Sequence, residues 1–190
     1  NWLVREKPGR LPAAFGRFDG ATVMVSVLAF AGWIAAPAAP ATGLVMIVAG
    51  LLHVLRLARW AGDRTIREPL VLVLHLAYLF VPAGFVLAGL AAIRPDLVVP
   101  AAGLHAFGAG AIGAMTLAVM MRASLGHTGH ALAMDRIMKA VYAAAVVAAL
   151  LRVSAAFDWA HFQSLVLLSG LAWALAFIGF ATAFAPKLFT

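Results

Sequence analysis

The chain has 190 residues, of which 65% are hydrophobic and only 11% are charged, and its mean hydropathy is +1.02. Water-soluble domains are usually about 45–50% apolar, so a soluble globular fold is excluded and a membrane protein is expected. Cysteine is absent, which excludes disulfides, thiolate metal ligands and a covalently attached c-type haem. Any metal would be held by His, Met, carboxylate or backbone oxygen ligands.

Residues 1–18 form a basic segment interrupted by proline and glycine, and nothing in it resembles the apolar core of a secretory signal. We interpret it as a cytoplasmic loop segment of a longer protein. Residues 19–190 then contain apolar stretches that each approach the ~20 residues a helix needs to cross a bilayer. They predict an all-α, polytopic membrane protein with six transmembrane helices in an antiparallel bundle, at about residues 19–36, 42–60, 69–92, 97–121, 134–153 and 161–185.

The positive charges are distributed unevenly between the two ends of the predicted bundle. Of the 14 lysines and arginines, only Arg94 and Arg152 fall in connections at one end. Because connections rich in Lys and Arg stay in the cytoplasm, we expect both termini of this segment to be cytoplasmic. Contact with anionic lipid accounts for the net charge of +7, so we expect the bilayer, and no nucleic acid, as a partner.

Histidine is the commonest metal ligand in proteins, and the chain has six. His53 and His75 lie on consecutive spans that run in opposite directions from one connection, which puts both roughly 5–10 Å below the same edge of the membrane. This matched depth predicts a metal site within the bundle. Further candidate ligands are His105, which we pair with His161 near the opposite edge of the membrane, and His127. We expect His127 in the loop after the fourth span. The alternative for each is a hydrogen bond to a neighbouring helix or to water.

Two other groups of residues admit structural interpretations. Arg56 and Arg59 can extend to the headgroups at the membrane edge. In the fourth span, Ala106, Gly110 and Ala114 recur at intervals of four, a spacing that permits close helix packing.

No nucleophile triad, P-loop or dinucleotide motif is present, and the acidic residues all fall near span ends or in loops. Buried carboxylate acid–base chemistry is therefore not expected, and no pattern identifies an enzymatic reaction.

Several stretches together resemble the NnrS family. They are GAIGAMTLAVM at 110–120 followed by RASLGHTG at 122–129, LHVLRLARW at 52–60, and the segment from Pro69 to Pro82 that contains His75 and Tyr78. The resemblance implies a bacterial inner-membrane protein associated with haem, copper and the response to nitric oxide. The chain is similar to the C-terminal half of such proteins. The implied partners are therefore the N-terminal half or a second copy, together with a small ligand such as nitric oxide.

The resemblance implies a non-covalent, b-type haem, with copper as a second metal. Combined with the depth argument, it makes His53 and His75 the expected axial ligands. Arg56 and Arg59 would pair with the haem propionates, and His105 and His127 would bind the other metal.

Two other functions stay open. The chain could be half of a transporter or channel in which intramembrane histidines relay protons or substrate, an interpretation favoured by Pro82 and by the glycines that interrupt the spans. It could also be a non-catalytic scaffold whose small-residue helix faces bind a partner.

Overall fold

The computed structural model describes residues 9–188, so the first part of the predicted basic segment lies outside the described residues. Six helical stretches in residues 9–188 are long and apolar enough to cross a membrane, and no strand occurs among them. The prediction of an all-α, six-span membrane protein is confirmed. The helices are α1 (Arg17–Ala35), α2 (Pro40–Ala58), α3 (Pro69–Ile93), α4 (Pro100–His105), α5 (Met115–His127), α6 (Arg136–Ser154) and α7 (Phe162–Leu188).

Local sequence explains where several helices begin. Helices α2, α3 and α4 each have a proline in the first turn, where the missing N–H has no partner to lose. Helix α6 begins after Asp135, whose carboxylate accepts a hydrogen bond from the Met138 amide at 2.8 Å, a typical N-cap. Helix α3 continues through Pro82 without ending.

The fourth span differs most from the sequence prediction. Helices α4 and α5 are joined by a π-helical segment, Ala106–Ala114, so that one continuous span runs from Pro100 to His127. The prediction that His127 lies in a loop is wrong, because it is the last residue of α5. The chain leaves the helical path two residues later, at Gly129, whose positive φ of 70° is readily adopted by glycine.

Consecutive helices are packing neighbours throughout the bundle. Helix α1 packs on α2, α2 on α3, α3 on the fourth span, the π-helical segment on α6, and α6 on α7. One buried apolar cluster joins α3, α5, α6 and α7 around Leu117 and Met121. A second cluster joins α1, α2 and α3 around Met46 and Phe85. The candidate site described below adjoins this second cluster.

Glycines allow the closest helix contacts. A Cβ added to Gly89 on α3 would lie 2.6 Å from the carbonyl oxygen of Gly43 on α2, so these two backbones are in direct contact. The predicted packing role of the small residues in the fourth span is borne out at Gly110, where a Cβ would lie 2.2 Å from the Phe80 ring. The outer faces stay apolar and exposed, as at Ile34 and Leu175, which suits contact with lipid.

Candidate functional site

A buried polar network joins α1, α2 and α3. At its centre is His53 on α2, which is 6% exposed. Its Nδ1 lies 2.5 Å from the hydroxyl of Tyr78 on α3, and its Nε2 lies 2.9 Å from Oγ of Ser26 on α1. Both ring nitrogens of His53 therefore have hydrogen-bond partners, and the ring links three helices.

The partners determine the direction of every hydrogen bond in this network. The Ser26 hydroxyl donates to the carbonyl of Thr22 at 2.8 Å, so Ser26 Oγ must accept from His53 Nε2–H. The Tyr78 oxygen accepts from Arg56 at 3.1 Å, which leaves its own O–H to donate to His53 Nδ1. The result is a one-way donor chain from Arg56 through Tyr78, His53 and Ser26 to the α1 backbone, with His53 as the neutral Nε2–H tautomer.

Asp19 on α1 supplies the negative charge of the network and is only 3% exposed. Its Oδ1 accepts from Arg56 Nε at 3.0 Å, and its Oδ2 accepts from the Gly16 amide at 3.0 Å. Arg59 lies 3.6 Å from the same carboxylate. A single buried carboxylate therefore holds Arg56 of α2 and Arg59, the residue that follows α2, and its own charge, costly to bury alone, is compensated.

Aromatic rings surround the network. The guanidinium of Arg56 lies 5.2 Å from the centroid of the Trp60 ring, and the Trp60 and Tyr78 rings are 4.5 Å apart. The ring of Phe85 stacks on His53 at 5.3 Å. These rings shield the polar groups from solvent and lipid, and hydrogen bonds are stronger in such surroundings.

His75 on α3 is bonded differently from His53. Its Nδ1 lies 3.0 Å from the carbonyl oxygen of Val71, one turn earlier in the same helix. A carbonyl only accepts, so Nδ1 carries the proton and Nε2 carries the free lone pair. This Nε2 is buried and has no hydrogen-bond partner among the described residues. An anchored Nδ1–H with a free Nε2 is the arrangement found in metal-binding histidines.

A groove of about 500 Å³ lies beside His75, between α2 and α3. Its walls are mostly apolar, and Arg10 and Asp63 line it where they form an ion pair. The chain turns sharply here, because Ala61 has a positive φ of 53°. A Cβ on the next residue, Gly62, would lie 2.8 Å from the His75 ring, so glycine allows the turn to approach the imidazole closely. The other residues lining the groove are Val54, Leu57, Ala58, Gly62, Leu72, Leu76 and Leu79.

A family model described as NnrS protein matches residues 1–190. The chain belongs to the NnrS family. A comparison with curated proteins and one with solved structures found no match. Membership of the NnrS family fits a multi-pass membrane protein associated with the response to nitric oxide.

The two expected haem ligands of this NnrS-family chain differ in whether a ring nitrogen has a lone pair free to coordinate a metal. His75 offers a free lone pair beside an apolar groove, which fits an axial ligand of haem. In His53, Nδ1 accepts from Tyr78 and Nε2 donates to Ser26, so no lone pair is free in this arrangement. A series of ring contacts connects the two histidines: Tyr78 lies 5.6 Å from His53, and Trp60 lies 4.5 Å from Tyr78 and 6.1 Å from His75.

The other histidines of the NnrS-family chain lie apart from this region. His105 is half-buried at the start of the π-helical segment, and His127 is exposed at the end of α5. His130 contacts the Thr128 hydroxyl at 2.8 Å, and His161 lies 3.0 Å from the Asp158 carboxylate. Among residues 9–188, no three His, Asp or Glu side chains are grouped closely enough to hold a metal ion. A haem iron, by contrast, takes only one or two protein ligands.

The structure therefore brings together His53, Arg56 and Arg59, whereas His75 bonds to Val71 and contacts the Trp60 ring. Sequence reasoning missed Asp19, Tyr78 and Ser26 as members of the network. Asp19 lies near a span end, as expected for the acidic residues, but it is buried beneath two arginines, and that burial was not predicted. The signal that could have revealed a buried acidic partner was the spacing of three residues between Arg56 and Arg59, which places both arginines on one side of the end of α2.

Proposed function

We propose that this NnrS-family chain binds haem through His75 and serves the response to nitric oxide. The observation that supports the proposal is the buried, unpaired Nε2 of His75, whose ring is anchored by Val71. A buried nitrogen without a partner is costly, and a metal would satisfy it. The NnrS family membership supplies the link to nitric oxide.

The groove residues have complementary roles in this proposal. The apolar walls would cover the faces of a porphyrin, and Arg10 would pair with a propionate by exchanging its exposed ion pair with Asp63. Arg56 and Arg59, which we expected to do this, are held by Asp19. When bound, haem iron supplies a coordination position for a small ligand such as nitric oxide. His105 and His127 stay our candidates for copper, with further ligands supplied by the N-terminal half of the protein or a second copy.

We also propose that the end of the bundle carrying Arg56, Arg59 and Arg122 faces the cytoplasm of a bacterial inner membrane. The support is the positive-inside rule, since only Arg94 and Arg152 of the chain's lysines and arginines fall at the opposite end. Labelling of single cysteines from each side of the membrane would test this orientation, and the chain has no native cysteine to interfere.

The experiment that tests haem binding is an analysis of the purified full chain for haem and copper. We expect stoichiometric haem in the wild type and its loss in His75→Ala. The variant His130→Ala is the control, because His130 is exposed and its ring contacts the Thr128 hydroxyl, away from the groove. Wild-type protein without haem, or His75→Ala with a full complement, would contradict the proposal.

A proton relay is the second candidate function, and a specific observation favours it. The donor chain from Arg56 through Tyr78 and His53 to Ser26 is continuous and runs in one direction. Such a chain can pass a proton when each member accepts on one side and donates on the other. Proton flux into liposomes that is abolished by His53→Ala but kept in His75→Ala would favour this candidate.

The scaffold hypothesis has less support. The small-residue face at Gly110 and Gly113 is already occupied within the chain, since a Cβ at either position would meet Phe80 or Trp173. That face therefore has no room for a partner helix.

A further inference from the structure

A second groove lies between the start of α3, the end of α5 and the chain that follows α5. Its volume is about 580 Å³, and Arg67 and Arg122 both line it. From its charge and shape we propose that this groove binds one acidic phospholipid, with the headgroup phosphate between the two arginines and an acyl chain along the adjoining apolar surface.

The side chains of Arg67 and Arg122 are exposed, and neither forms an ion pair or a hydrogen bond with another residue in the range 9–188. They come from different elements, and the groove joins them. Glu68 also lines the groove, so the two arginines leave a net positive charge there. His127 lines the adjoining cavity together with Arg122. The groove lies at the end of the bundle that we propose faces the cytoplasm. Basic pockets between transmembrane helices on that side of a membrane are suited to anionic lipid headgroups.

The apolar part of the site continues away from the arginines. An adjoining cavity of about 400 Å³ shares Leu74, Arg122 and Leu132 with the first groove and extends to Val119. Val119 is 50% exposed on the membrane-facing part of α5. Cations at one end and an apolar surface that enters the bilayer region at the other match a charged headgroup with its acyl chain. Free phosphate would occupy only the part of the site that is lined by the two arginines.

A groove elsewhere in the bundle provides a comparison. It is lined by Arg136 together with apolar residues of α6 and α7, without a second arginine. Because each arginine near a membrane surface adds about fivefold to the binding of acidic lipid, we expect the two-arginine groove to be the stronger site. Replacing Arg136 removes the same charge as replacing Arg67 or Arg122, which makes it a matched control.

The test is native mass spectrometry of the purified full chain in detergent, titrated with phosphatidylglycerol or phosphatidylcholine. We expect one phosphatidylglycerol to be retained in preference to phosphatidylcholine. The single variants Arg67→Gln and Arg122→Gln should each lower this retention about fivefold, and the double variant should lower it at least tenfold. Arg136→Gln, which removes one charge as each single variant does, should stay within about twofold of the wild type. Val119→Trp, which obstructs the apolar part, should lower it with the arginines intact.

Circular dichroism would show that each variant keeps its helical content. Equal retention of both lipids by the wild type would overturn the proposal, and so would unchanged retention in the double variant. If Arg136→Gln lost as much phosphatidylglycerol as Arg67→Gln or Arg122→Gln, the positive charge of the whole surface would be responsible, and the proposed site would be overturned. Displacement of the lipid by inorganic phosphate alone would assign the site to free phosphate instead.

Discussion

Arg56 and Asp19, which are 37 residues apart in the chain, form an ion pair in which Arg56 Nε lies 3.0 Å from Asp19 Oδ1. The pair ties α1 to α2, and the Ser26–His53 hydrogen bond adds a second polar link between the same helices. Charged groups within membrane-spanning segments are rare and usually pair with one another. The pair also fixes the Arg56 guanidinium where it can donate to Tyr78, so one carboxylate on α1 orders the whole network.

We expect Asp19→Asn to destabilise the chain. The substitution keeps the shape of the side chain but leaves Arg56 and Arg59 without their counter-charge, which is costly in a buried position. The measurement is the thermal unfolding midpoint in detergent. Asp96→Asn is the control, because it breaks an exposed pair with Arg94 that contributes little. Equal midpoints for the two variants would contradict this role for Asp19.

Tyr78→Phe removes the hydroxyl that joins Arg56 to His53. We expect a loss of about 1–3 kcal/mol in the free energy of unfolding, because one of the two hydrogen bonds involves a charged group. Tyr142→Phe is the comparison, since the Tyr142 hydroxyl donates to the Val73 carbonyl at 2.6 Å and its partner carries no charge. The Tyr78 variant should be the less stable of the two in unfolding titrations, and the reverse order would show that the network adds little.

The six spans were predictable from sequence because a bilayer requires each backbone polar group to be satisfied within its own helix. Runs of about 20 apolar residues therefore have few alternatives to a spanning helix. The π-helical segment Ala106–Ala114 was not predictable. Two of its glycines, Gly110 and Gly113, pack against the rings of Phe80 and Trp173 on other helices, and a local pattern contains no information about those contacts.

The sequence predicts the depth of the two histidines in the membrane but not the direction in which their rings point. Counting residues from the connection places His53 and His75 at one level. It does not reveal which way each ring points around its helix, and in the structure His53 bonds to Tyr78 and Ser26 while His75 bonds to Val71. The roles of Tyr78 and Asp19 follow from partners on other helices, which a single sequence does not display.

Gly89→Ala should destabilise the packing of α2 on α3. The added Cβ would lie 2.6 Å from the Gly43 carbonyl oxygen, a backbone atom that cannot move independently. We expect a loss of about 1–3 kcal/mol in the free energy of unfolding. Gly170→Ala on α7 is the control, since nothing lies within 4 Å of its added Cβ. If both variants unfold at the same denaturant concentration, the close contact of these backbones is incorrect.

The ion pair of Arg10 with Asp63 should make the segment around Ala13 sensitive to acid. The hydrogen bond from Arg10 lowers the pKa of Asp63 below its ordinary value of 3.8. A carboxyl with a lowered pKa stabilises the fold above its ordinary value, and this contribution is lost as the pH falls through the lowered value. Asp63→Asn should therefore loosen this segment at neutral pH.

Hydrogen exchange of the Ala13 amide, which donates to the Arg59 carbonyl at 2.9 Å, provides the measurement. We expect faster exchange in Asp63→Asn than in the wild type at neutral pH. The difference should disappear below the lowered pKa, where Asp63 is protonated in the wild type. A difference that persists undiminished in acid would show that the charge of Asp63 is not its cause.

The most direct test of the account is the visible absorption spectrum of the purified full chain, compared between wild type, His75→Ala and His53→Ala. We predict a Soret band in the wild type, its loss in His75→Ala, and its retention in His53→Ala, because the lone pair of His53 is already used by Tyr78. A Soret band that survives His75→Ala and disappears in His53→Ala would contradict the assignment of the ligand.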